Sequence, residues 1–454
     1  MTQPVFNKPK RASTLLALGA TSVMLFGACS STAGNTTPPA ASSAAAGSTA
    51  AASSGAPAAS TAAAPAGGSI VFGDLHPFTG NYASVGANSY GGAKAAAACI
   101  NNAGGVLGKT LTVDTADTVG DPADAVPAAN KLLAVDGAVG IIGPGGLEIG
   151  AVQPILDNHK IPFMFEGGLT AMDQNTDPYL WRDTPSDSSE GVAMAVYAQS
   201  KGYKKAAFLF STIQTAQDFK TPVLNAWKKI GGTIVSNVNV APGQTSYRSE
   251  VLQVVNSKPD VIFTQMEPST GGGVFSSFKE LDGLAIPFIA SDTSAGTDWI
   301  SAVGAANAQK ALVSVEGSSA PGPGSTAFTK CYQQANGNGQ VLANAPYAYD
   351  GTITLALAMD LAGTTDGTAV SQALGKVSTP GTGIPTVTDY AAGLAAIKGG
   401  AKAINYDGAG TTMDFNQYHN VFGPFQVVQW DPGSNQFKTI FTVSGQQIES
   451  AAGG

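Results

Sequence analysis

The sequence predicts an α/β protein whose parallel sheets are covered by helices and whose globular part is divided into two lobes. The main observation is an alternation of short apolar strands with helix-compatible stretches, which begins at Ile70. Alternation of this kind is typical of parallel sheets with helices on both faces. The second observation is length, because the chain from Ile70 onward is long for one such sheet and favours two lobes.

Each predicted strand is a short apolar run followed by a stretch that can form a helix. The strands are predicted at residues 70–74, 111–113, 138–142, 161–165, 206–210, 261–264 and 287–290. Helices are predicted at residues 84–102 and 124–133, and a third runs from Ile149 through Ile155. The tail differs, since two apolar runs between residues 425 and 441 flank an Asp-Pro-Gly-Ser turn and predict a hairpin that ends the protein.

Composition and charge argue against several classes of function. The chain has 23 Lys and Arg against 31 Asp and Glu, a net charge of -8, and only 12% charged residues. An acidic protein is poorly suited to electrostatic binding of nucleic acid, which needs clustered Lys and Arg. Three His and three Cys cannot build a zinc ribbon or an iron–sulfur framework unless carboxylates supply most of the ligands. We therefore predict no metal, no cofactor and no nucleic-acid partner.

The N-terminal segment has the features of a secretory signal. In residues 1–28 a basic region precedes a short apolar run that ends in small residues. Cys29 follows, at the position where bacterial lipoproteins carry their lipid. The segment resembles a lipobox, with Phe26 in place of the usual Leu. The alternative is an ordinary signal peptide cut near Ala28.

A low-complexity tract separates this segment from the globular part. Residues 30–69 contain only Ser, Thr, Ala, Gly, Pro and one Asn. Without large apolar side chains to bury, such a tract cannot offset the entropy of ordering, which predicts a disordered tether. The alternative is an Ala-rich helix, which the prolines of the tract disfavour.

Motifs that suggest an enzyme do not fit in spacing or context. Residues 104–110 end like a phosphate loop, but Ala103 stands where the first glycine belongs, and the run follows a helix and precedes a strand. It is interpreted as a helix C-cap and turn. We find no Gly-x-Ser-x-Gly elbow and no His-Glu-x-x-His pair in the sequence. No catalytic residue is predicted, and the protein is not expected to be an enzyme.

A glycine-rich turn at residues 143–148 follows the strand predicted at 138–142 and opens the next helix. Backbone N–H groups at a helix N-terminus favour an anion such as a carboxylate. Glu148 departs from the dinucleotide fingerprint and would repel a pyrophosphate. The turn therefore predicts either a site for a small carboxylate or a tight turn without a ligand.

Residues 70–441 resemble a type I periplasmic binding protein of the branched-chain amino acid binding family, which feeds ABC importers. The resemblance rests on a combination of short stretches that covers nearly the whole globular part. These stretches are Pro77-Phe78-Thr79-Gly80, the helix at 95–102 with Gly104-Gly105-Val106-Leu107-Gly108-Lys109, Ile161-Pro162-Phe163, Arg182-Asp183-Thr184-Pro185-Ser186-Asp187 and Tyr347-Ala348-Tyr349-Asp350-Gly351.

The resemblance implies two Rossmann-like lobes with parallel sheets, joined by a hinge of three chain segments. The implied organisation is a signal peptide at 1–28, a lipidated Cys and disordered tether at 29–69, a first lobe of 70–186 and 317–420, and a second lobe of 187–316 and 421–454. The crossings between lobes are expected near residues 186–190, 313–317 and 420–424.

The resemblance also implies a binding site between lobes that close on their ligand. Family members hold an amino acid's carboxylate with residues just after strands and its ammonium with an acid of the second lobe. By position, the first-lobe side is predicted at Gly145, Gly146, Leu147, Gly168 and Thr170. The remaining predicted ligand-binding residues are Gln214, Thr215, Glu267, Asp292 as the acid, and Tyr349. Several of these differ from the family's usual residues, which leaves open whether the ligand is a branched-chain amino acid.

The predicted function is that of a lipid-anchored substrate-binding protein of an ABC importer at the extracytoplasmic face of the cell membrane. It would capture a small solute, an amino acid or a related carboxylate or amide, and deliver it to the permease membrane subunits. The alternative is a surface lipoprotein of the same fold that acts as a ligand sensor or interaction module. A monomer is expected.

Two thiols remain in the globular part, Cys99 and Cys331, and both fall in the predicted first lobe. Export to an oxidising compartment permits a disulfide between them. The alternative is two buried small hydrophobic side chains, because Cys99 lies on an apolar helix face.

Overall fold

The computed structural model describes residues 67–317, 322–338, 341 and 344–452. The predicted signal peptide, Cys29 and the tether up to residue 66 lie outside these residues. In the described part of the chain, no helix has the length and apolar character needed to cross a membrane.

The chain first builds a sheet of five parallel strands. The strands are β1 (Ser69–His76), β2 (Thr110–Asp117), β3 (Gly140–Gly145), β4 (Phe163–Glu166) and β5 (Leu180–Arg182). Three helices connect the first four strands, namely α1 (Ala83–Asn102), α2 (Pro122–Ala134) and α3 (Ile149–Asn158). The strand order is β2-β1-β3-β4-β5, and apolar strand residues such as Ile141 and Phe163 are fully buried because helices cover both faces.

The next part of the chain builds a second parallel sheet. Its strands are β6 (Lys205–Ser211), β7 (Thr233–Val240), β8 (Val261–Gln265), β9 (Phe288–Ala290) and β10 (Leu312–Glu316). The helices of this part are α4 (Asp187–Ser200), α5 (Gln214–Lys229), α6 (Arg248–Asn256), α7 (Pro268–Glu280), α8 (Thr297–Val303) and α9 (Ala305–Ala311). Parallel pairing of β6 with β7 and β8, and of β9 with β8 and β10, holds these strands together.

The last part of the chain contributes to both sheets. Its elements are α10 (Ser325–Asn336), α11 (Ala345–Ala362), α12 (Gly367–Val377), β11 (Thr386–Val387), α13 (Tyr390–Lys398), β12 (Asn405–Tyr406), β13 (Phe425–Asp431), β14 (Gln436–Val443) and α14 (Gly445–Ala452). Helices α10 and α11 pack on α1, and α11 also contacts β3 and β4. The antiparallel pair β13 and β14 extends the second sheet, whose order is β14-β13-β10-β9-β8-β6-β7. Strands β11 and β12 form a small separate sheet.

We call the first sheet with α1–α3 and α10–α13 the first lobe, and the second sheet with α4–α9 and α14 the second lobe. The predicted α/β fold with two parallel-sheet lobes is confirmed. The hairpin is confirmed as β13 and β14, but the prediction that it ends the protein is wrong. Helix α14 follows it, because the buried side chain of Ile448 anchors this segment and the helix packs on α4.

The described chain changes from one sheet to the other at three places. It leaves the first sheet between β5 and α4, leaves the second after β10, and returns to the second between Asn420 and β13. A β-bridge between Arg182 and Asn420 holds two of these connections side by side. The exact lobe boundaries stay a prediction.

A disulfide fastens α10 to α1 inside the first lobe. The sulfur atoms of Cys99 and Cys331 are 2.04 Å apart, and the two residues are separated by 232 positions in the sequence. Cys331 is 4% exposed and belongs to the core formed by α1, α10 and α11. The bridge therefore ties two segments that are distant in the chain.

Replacing both cysteines by Ala is expected to lower the free energy of unfolding by about 2 to 5 kcal/mol, because the bridge closes a long loop in the unfolded chain. Urea unfolding measures the loss. Reductant should lower the stability of the wild type and leave the double variant unchanged, which serves as the control. Peptide mapping that finds free, alkylated Cys99 and Cys331 in denatured, unreduced wild type would contradict the bridge.

Candidate ligand-binding cleft

A cleft lies between the lobes, where strands of both sheets end. Strand β4 ends at Glu166, and β9 ends two residues before Asp292. Crevices outside the carboxyl ends of parallel strands are the usual ligand sites of open α/β sheets. The cleft encloses about 170 Å³ and is lined by Glu166, Gly167, Gly168, Thr184, Pro185, Asp187, Glu190, Asp292, Gly317, Asn344, Tyr347 and Phe425.

The charged side chains that line the cleft are all acidic. Glu166 comes from the first lobe, whereas Asp187, Glu190 and Asp292 come from the second. No Lys, Arg or His is among the described residues that line it. The cleft therefore presents carboxylates from both sides of the crevice.

Helix α4 positions two of these acids in its first turn. Ser186 is its N-cap, and the Ser186 hydroxyl accepts a hydrogen bond from the Ser188 N–H at 3.0 Å. Asp187 and Glu190 are three residues apart, so their side chains lie on one face of the helix. Burial, together with the Asp292 carboxylate, raises the pKa of Asp187 to about 7 and that of Glu190 well above its usual range.

Asp292 is fixed against this helix through its backbone. Its N–H donates a 3.0 Å hydrogen bond to Oε1 of Glu190, which is only 5% exposed. Asp292 lines the cleft and is itself exposed to solvent. The surrounding protein nevertheless disfavours its charged form and so raises the pKa of the Asp292 carboxyl.

Glu166 is backed by a buried histidine. Nε2 of His76 lies 3.6 Å from Oε2 of Glu166, and Nδ1 of His76 lies 2.7 Å from Oδ1 of Asp74. Burial disfavours charge on His76, but the carboxylates of Glu166 and Asp74 raise its pKa to about 9. Burial raises the pKa of Glu166 to about 7. One imidazolium thus faces two carboxylates from behind the cleft.

Aromatic side chains complete the lining. Tyr347, in the first turn of α11, is 3% exposed and its hydroxyl has no hydrogen-bond partner. A Cβ on Gly317 would lie 3.1 Å from this hydroxyl, so the glycine leaves room for it. Phe425, the first residue of β13, belongs to the second lobe. Both lobes therefore contribute a ring to the cleft.

Two of the predicted ligand-binding residues line the cleft, Gly168 and Asp292. The Gly168 carbonyl accepts a 2.8 Å hydrogen bond from the N–H of Asp187. A Cβ at position 168 would stand 1.7 Å from Oδ1 of Asp187. Glycine at this position thus permits the first lobe to approach the start of α4.

The structure places the predicted carboxylate site at the glycine turn outside the lining of the cleft, and this site stays a prediction. Gly145, Gly146 and Leu147 are not among the residues that line the cleft. Glu148 is 2% exposed, forms the N-cap position of α3, and its Oε2 would be 3.2 Å from a Cβ on Gly145. A ligand carboxylate at this turn would therefore meet the chain's own carboxylate.

The other predicted residues lie outside the cleft lining. Thr170 opens the 3-10 turn Thr170–Met172. Gln214 and Thr215 are exposed at the start of α5, where the Gln214 side chain donates to Asp218 at 2.7 Å. Glu267 is half-buried at the N-cap position of α7.

The structure places Tyr349 away from the cleft, and its role in binding stays a prediction. This side chain is fully buried in the first-lobe core, and its hydroxyl lies 3.5 Å from the Cys331 sulfur. Residues two apart on a helix point to nearly opposite sides. Tyr347, two residues earlier in the same motif, therefore faces the cleft in its place.

Sequence reasoning missed most of the acids. Glu166 follows an apolar strand, and Asp187 and Glu190 follow a Ser that can cap a helix, so each has a local signal. That signal does not tell which acids from distant segments face one another.

Metal binding is not supported, because the described residues contain no group of three or more His, Cys, Asp or Glu that could hold a metal ion.

Two parallel-sheet lobes with a polar cleft at the strand ends define the class of two-lobed solute-binding proteins. Residues 69–435 match the periplasmic binding protein family, and the chain belongs to this family. Its members are solute-binding proteins and not enzymes.

Individual relatives are distant. The chain is 25% identical over 205 residues to the Leu/Ile/Val-binding protein BraC3 of Rhizobium johnstonii. This match covers 43% of this chain and 53% of the relative. It is 25% identical over 254 residues to an amino acid binding protein of Pseudomonas aeruginosa, 52% of this chain and 66% of the relative. The matches thus span about half to two thirds of these curated relatives.

Solved structures share the fold over most of the globular part. The leucine binding protein LivK of Thermotoga maritima has a TM-score of 0.66 at 18% identity, covering 83% of this chain and 99% of that chain. A solute binding protein of R. palustris in complex with 4-hydroxybenzoate has a TM-score of 0.63 at 19% identity, covering 83% and 97%. At this identity the likeness establishes the fold alone.

The raised pKa values of several acids predict that the protein is most stable at acidic pH. Glu166, Asp187 and Asp350 have pKa values of about 7 in the folded protein, so between about pH 4 and pH 7 the folded state binds more protons than the unfolded state. Stability must fall as pH rises through this window. His76, with its pKa raised to about 9, loses its stabilising charge at still higher pH.

Thermal unfolding at pH 5 and pH 8 measures this dependence, and the higher Tm is expected at pH 5. The Asp187→Asn variant should show a smaller difference between the two pH values, whereas Asp282→Asn, at an exposed turn, should behave as the wild type. Half-buried acids with lowered pKa, such as Asp117 and Asp260, lose their contribution to stability only below about pH 4. A Tm that rises from pH 5 to pH 8 would contradict the prediction.

Proposed function

We propose that this chain is the substrate-binding protein of an ABC importer, which captures a small solute such as an amino acid or a related amide between its two lobes. The observation that supports this most directly is the cleft, because carboxylates and aromatic rings from both lobes line one enclosed space. A site shared between two lobes favours the closed arrangement when it is filled.

Relatives support a small organic solute. One solved structure with this fold is the branched-chain amino acid transporter substrate binding protein LivJ of Streptococcus pneumoniae in complex with isoleucine, and the R. palustris protein holds 4-hydroxybenzoate. A cleft of about 170 Å³ suits a ligand of this size class rather than a polymer.

The lobes can close because few chain segments join them. Three connections join them, and the bridge between Arg182 and Asn420 holds the one after β5 beside the one before β13. In a hinged pair of lobes, a few connecting residues absorb the backbone rotation. Closure would change the outer surface that the permease recognises, and so report that the solute is bound.

We further propose a lipid anchor at Cys29, with residues 30–69 as its tether. A flexible tract of this length spans on the order of 35 Å on average, which would let the lobes move above the membrane. The receptor would then stay close to its permease at the extracytoplasmic face.

Thermal-shift screening with amino acids, amides, small organic acids and amines should find a stabilising solute. Calorimetry then measures the affinity of the protein for that solute. Gly168→Val is expected to weaken binding at least about tenfold, because the added side chain would collide with Asp187 and hold the lobes apart. Gly150→Val is the matched control, since a Cβ there meets nothing within 4 Å. Equal affinity in all three proteins would place the solute elsewhere, and a screen without any stabilising solute would argue against a receptor.

The Cys29→Ser variant is expected to leave the membrane fraction, as secreted protein or as unprocessed precursor, because the lipid is attached through the thiol. Fractionation followed by intact-mass measurement tests this. Ser30→Ala is the control and should keep the mass increase of the lipid. Retention of Cys29→Ser at the membrane with wild-type processing would rule out this anchor.

A further inference from the structure

We infer that the solute is a small organic cation, held through ammonium or guanidinium groups by carboxylates of both lobes. This inference rests on the proposed function, since it specifies what the receptor captures. It differs from the expectation of a bound carboxylate that the family resemblance suggested.

The arrangement of charge is the first argument. Glu166 approaches the cleft from the first lobe, and Asp187 and Glu190 approach it from the second. Hydrogen bonding fixes Glu190 to the backbone of Asp292, so these two acids cannot separate without breaking that contact. Opposite charge from a ligand is the direct way to compensate acids gathered in an enclosed space.

An unpartnered hydroxyl is a second and independent argument. The Tyr347 hydroxyl lines the cleft, is part of a side chain only 3% exposed, and has no hydrogen-bond partner among the described residues. Buried polar atoms are nearly always paired in complete sites. A phenol can donate or accept a hydrogen bond, so its oxygen can accept one from an ammonium or guanidinium group. The hydroxyl therefore indicates a polar ligand, and the surrounding carboxylates favour a cationic one.

The aromatic rings favour the same ligand. Tyr347 and Phe425 line the cleft from opposite lobes. The face of an aromatic ring attracts a cation, and the attraction is larger where water is excluded. Rings combined with carboxylates are therefore suited to an alkylammonium ligand, whose methylene groups also gain from apolar contact.

The nearest basic side chains already have acidic partners, although Nε of Arg182 and Nε2 of His76 have no hydrogen-bond partner among the described residues. Arg182 is 1% exposed, and its guanidinium pairs with Asp173 at 2.6 Å and donates to the Leu169 carbonyl at 3.0 Å. His76 lies behind Glu166 and contacts Asp74. A ligand carboxylate in the cleft would meet four acids without a free cation of its own, which is a costly arrangement in a desolvated site.

Cation binding would also drive closure. In the empty cleft, Asp187, Glu190 and Asp292 repel one another within the second lobe. A cation held by these acids and by Glu166 would be attracted to both lobes, and so would bind the closed arrangement more tightly than the open one. A ligand shifts a conformational equilibrium only through such a difference in affinity.

A matched set of four-carbon probes tests the charge requirement. Calorimetry with 1,4-diaminobutane, 1,4-butanediol and succinate compares two positive charges, none and two negative charges on the same skeleton. Binding is expected for the diamine, at least about 100-fold tighter than for the diol, with no binding of succinate. Added salt should weaken the binding of the diamine, since charge pairs at a partly open cleft are screened.

Isosteric variants test the placement. Glu190→Gln and Asp292→Asn are each expected to weaken diamine binding at least about tenfold, because each removes a charge that faces the ligand. Glu280→Gln and Asp282→Asn, on the exposed surface of the second lobe, are the matched controls and should bind as the wild type. The ligand-free Glu190→Gln protein should have a Tm no lower than the wild type, since the repulsion it relieves outweighs the hydrogen bond it weakens. A purely structural role for Glu190 would instead lower that Tm.

The outcomes separate this inference from the proposed receptor function. Leucine, isoleucine or 4-hydroxybenzoate could bind in a manner sensitive to Gly168→Val while no amine does. In that case the receptor function stands, and the inference of a cationic solute is wrong. If no solute of any charge binds, the receptor function itself fails. Diamine binding that both Glu190→Gln and Asp292→Asn leave unchanged would overturn the assignment of these carboxylates.

Discussion

Mutual repulsion between the carboxylates that line one narrow cleft is the constraint on which this structure depends. Acids that are gathered together can be ionised at the same time only if a compensating positive group is present. Glu166 has such a group in His76 on its inner side. In the second lobe, Asp292 raises the pKa of both Asp187 and Glu190, and the Arg182 guanidinium near Asp187 is bound to Asp173. Protons or a ligand must therefore relieve the repulsion among these acids.

The fold brings these acids together because of how parallel sheets are built. Strands β4 and β9 end at the same crevice, so residues that follow them face one another although they are far apart in sequence. Helix α4 adds its first turn, where the positive end of the helix dipole helps to tolerate Asp187 and Glu190. The disulfide between α1 and α10 ties together two helices of the first lobe that are distant in sequence.

The sequence predicted the fold well because strands and helices leave a local periodic signal. The strands from β1 to β9 that were predicted lie within a few residues of those observed, and the late helix that holds Tyr347 was also located. The site was predicted only in part, since Gly168 and Asp292 line the cleft while Gly145 and Tyr349 do not. Tyr349 lies in the core while Tyr347 lines the cleft, because a shift of two residues on a helix reverses the side that a residue faces. Contacts between distant acids depend on tertiary packing, which a single sequence does not contain.

Glu148 shows how one scaffold can change its ligand. The resemblance implied that the turn after β3 holds a ligand carboxylate with backbone donors, yet this chain places its own carboxylate there. Oε1 of Glu148 accepts a 2.8 Å hydrogen bond from the Thr118 hydroxyl, and the side chain is buried. With an internal acid at this turn and Glu166 at the end of the next strand, the first lobe presents acceptors where a carboxylate would need donors. Since a fold does not determine its ligand, the same two lobes that suit a zwitterion elsewhere are suited here to a cation.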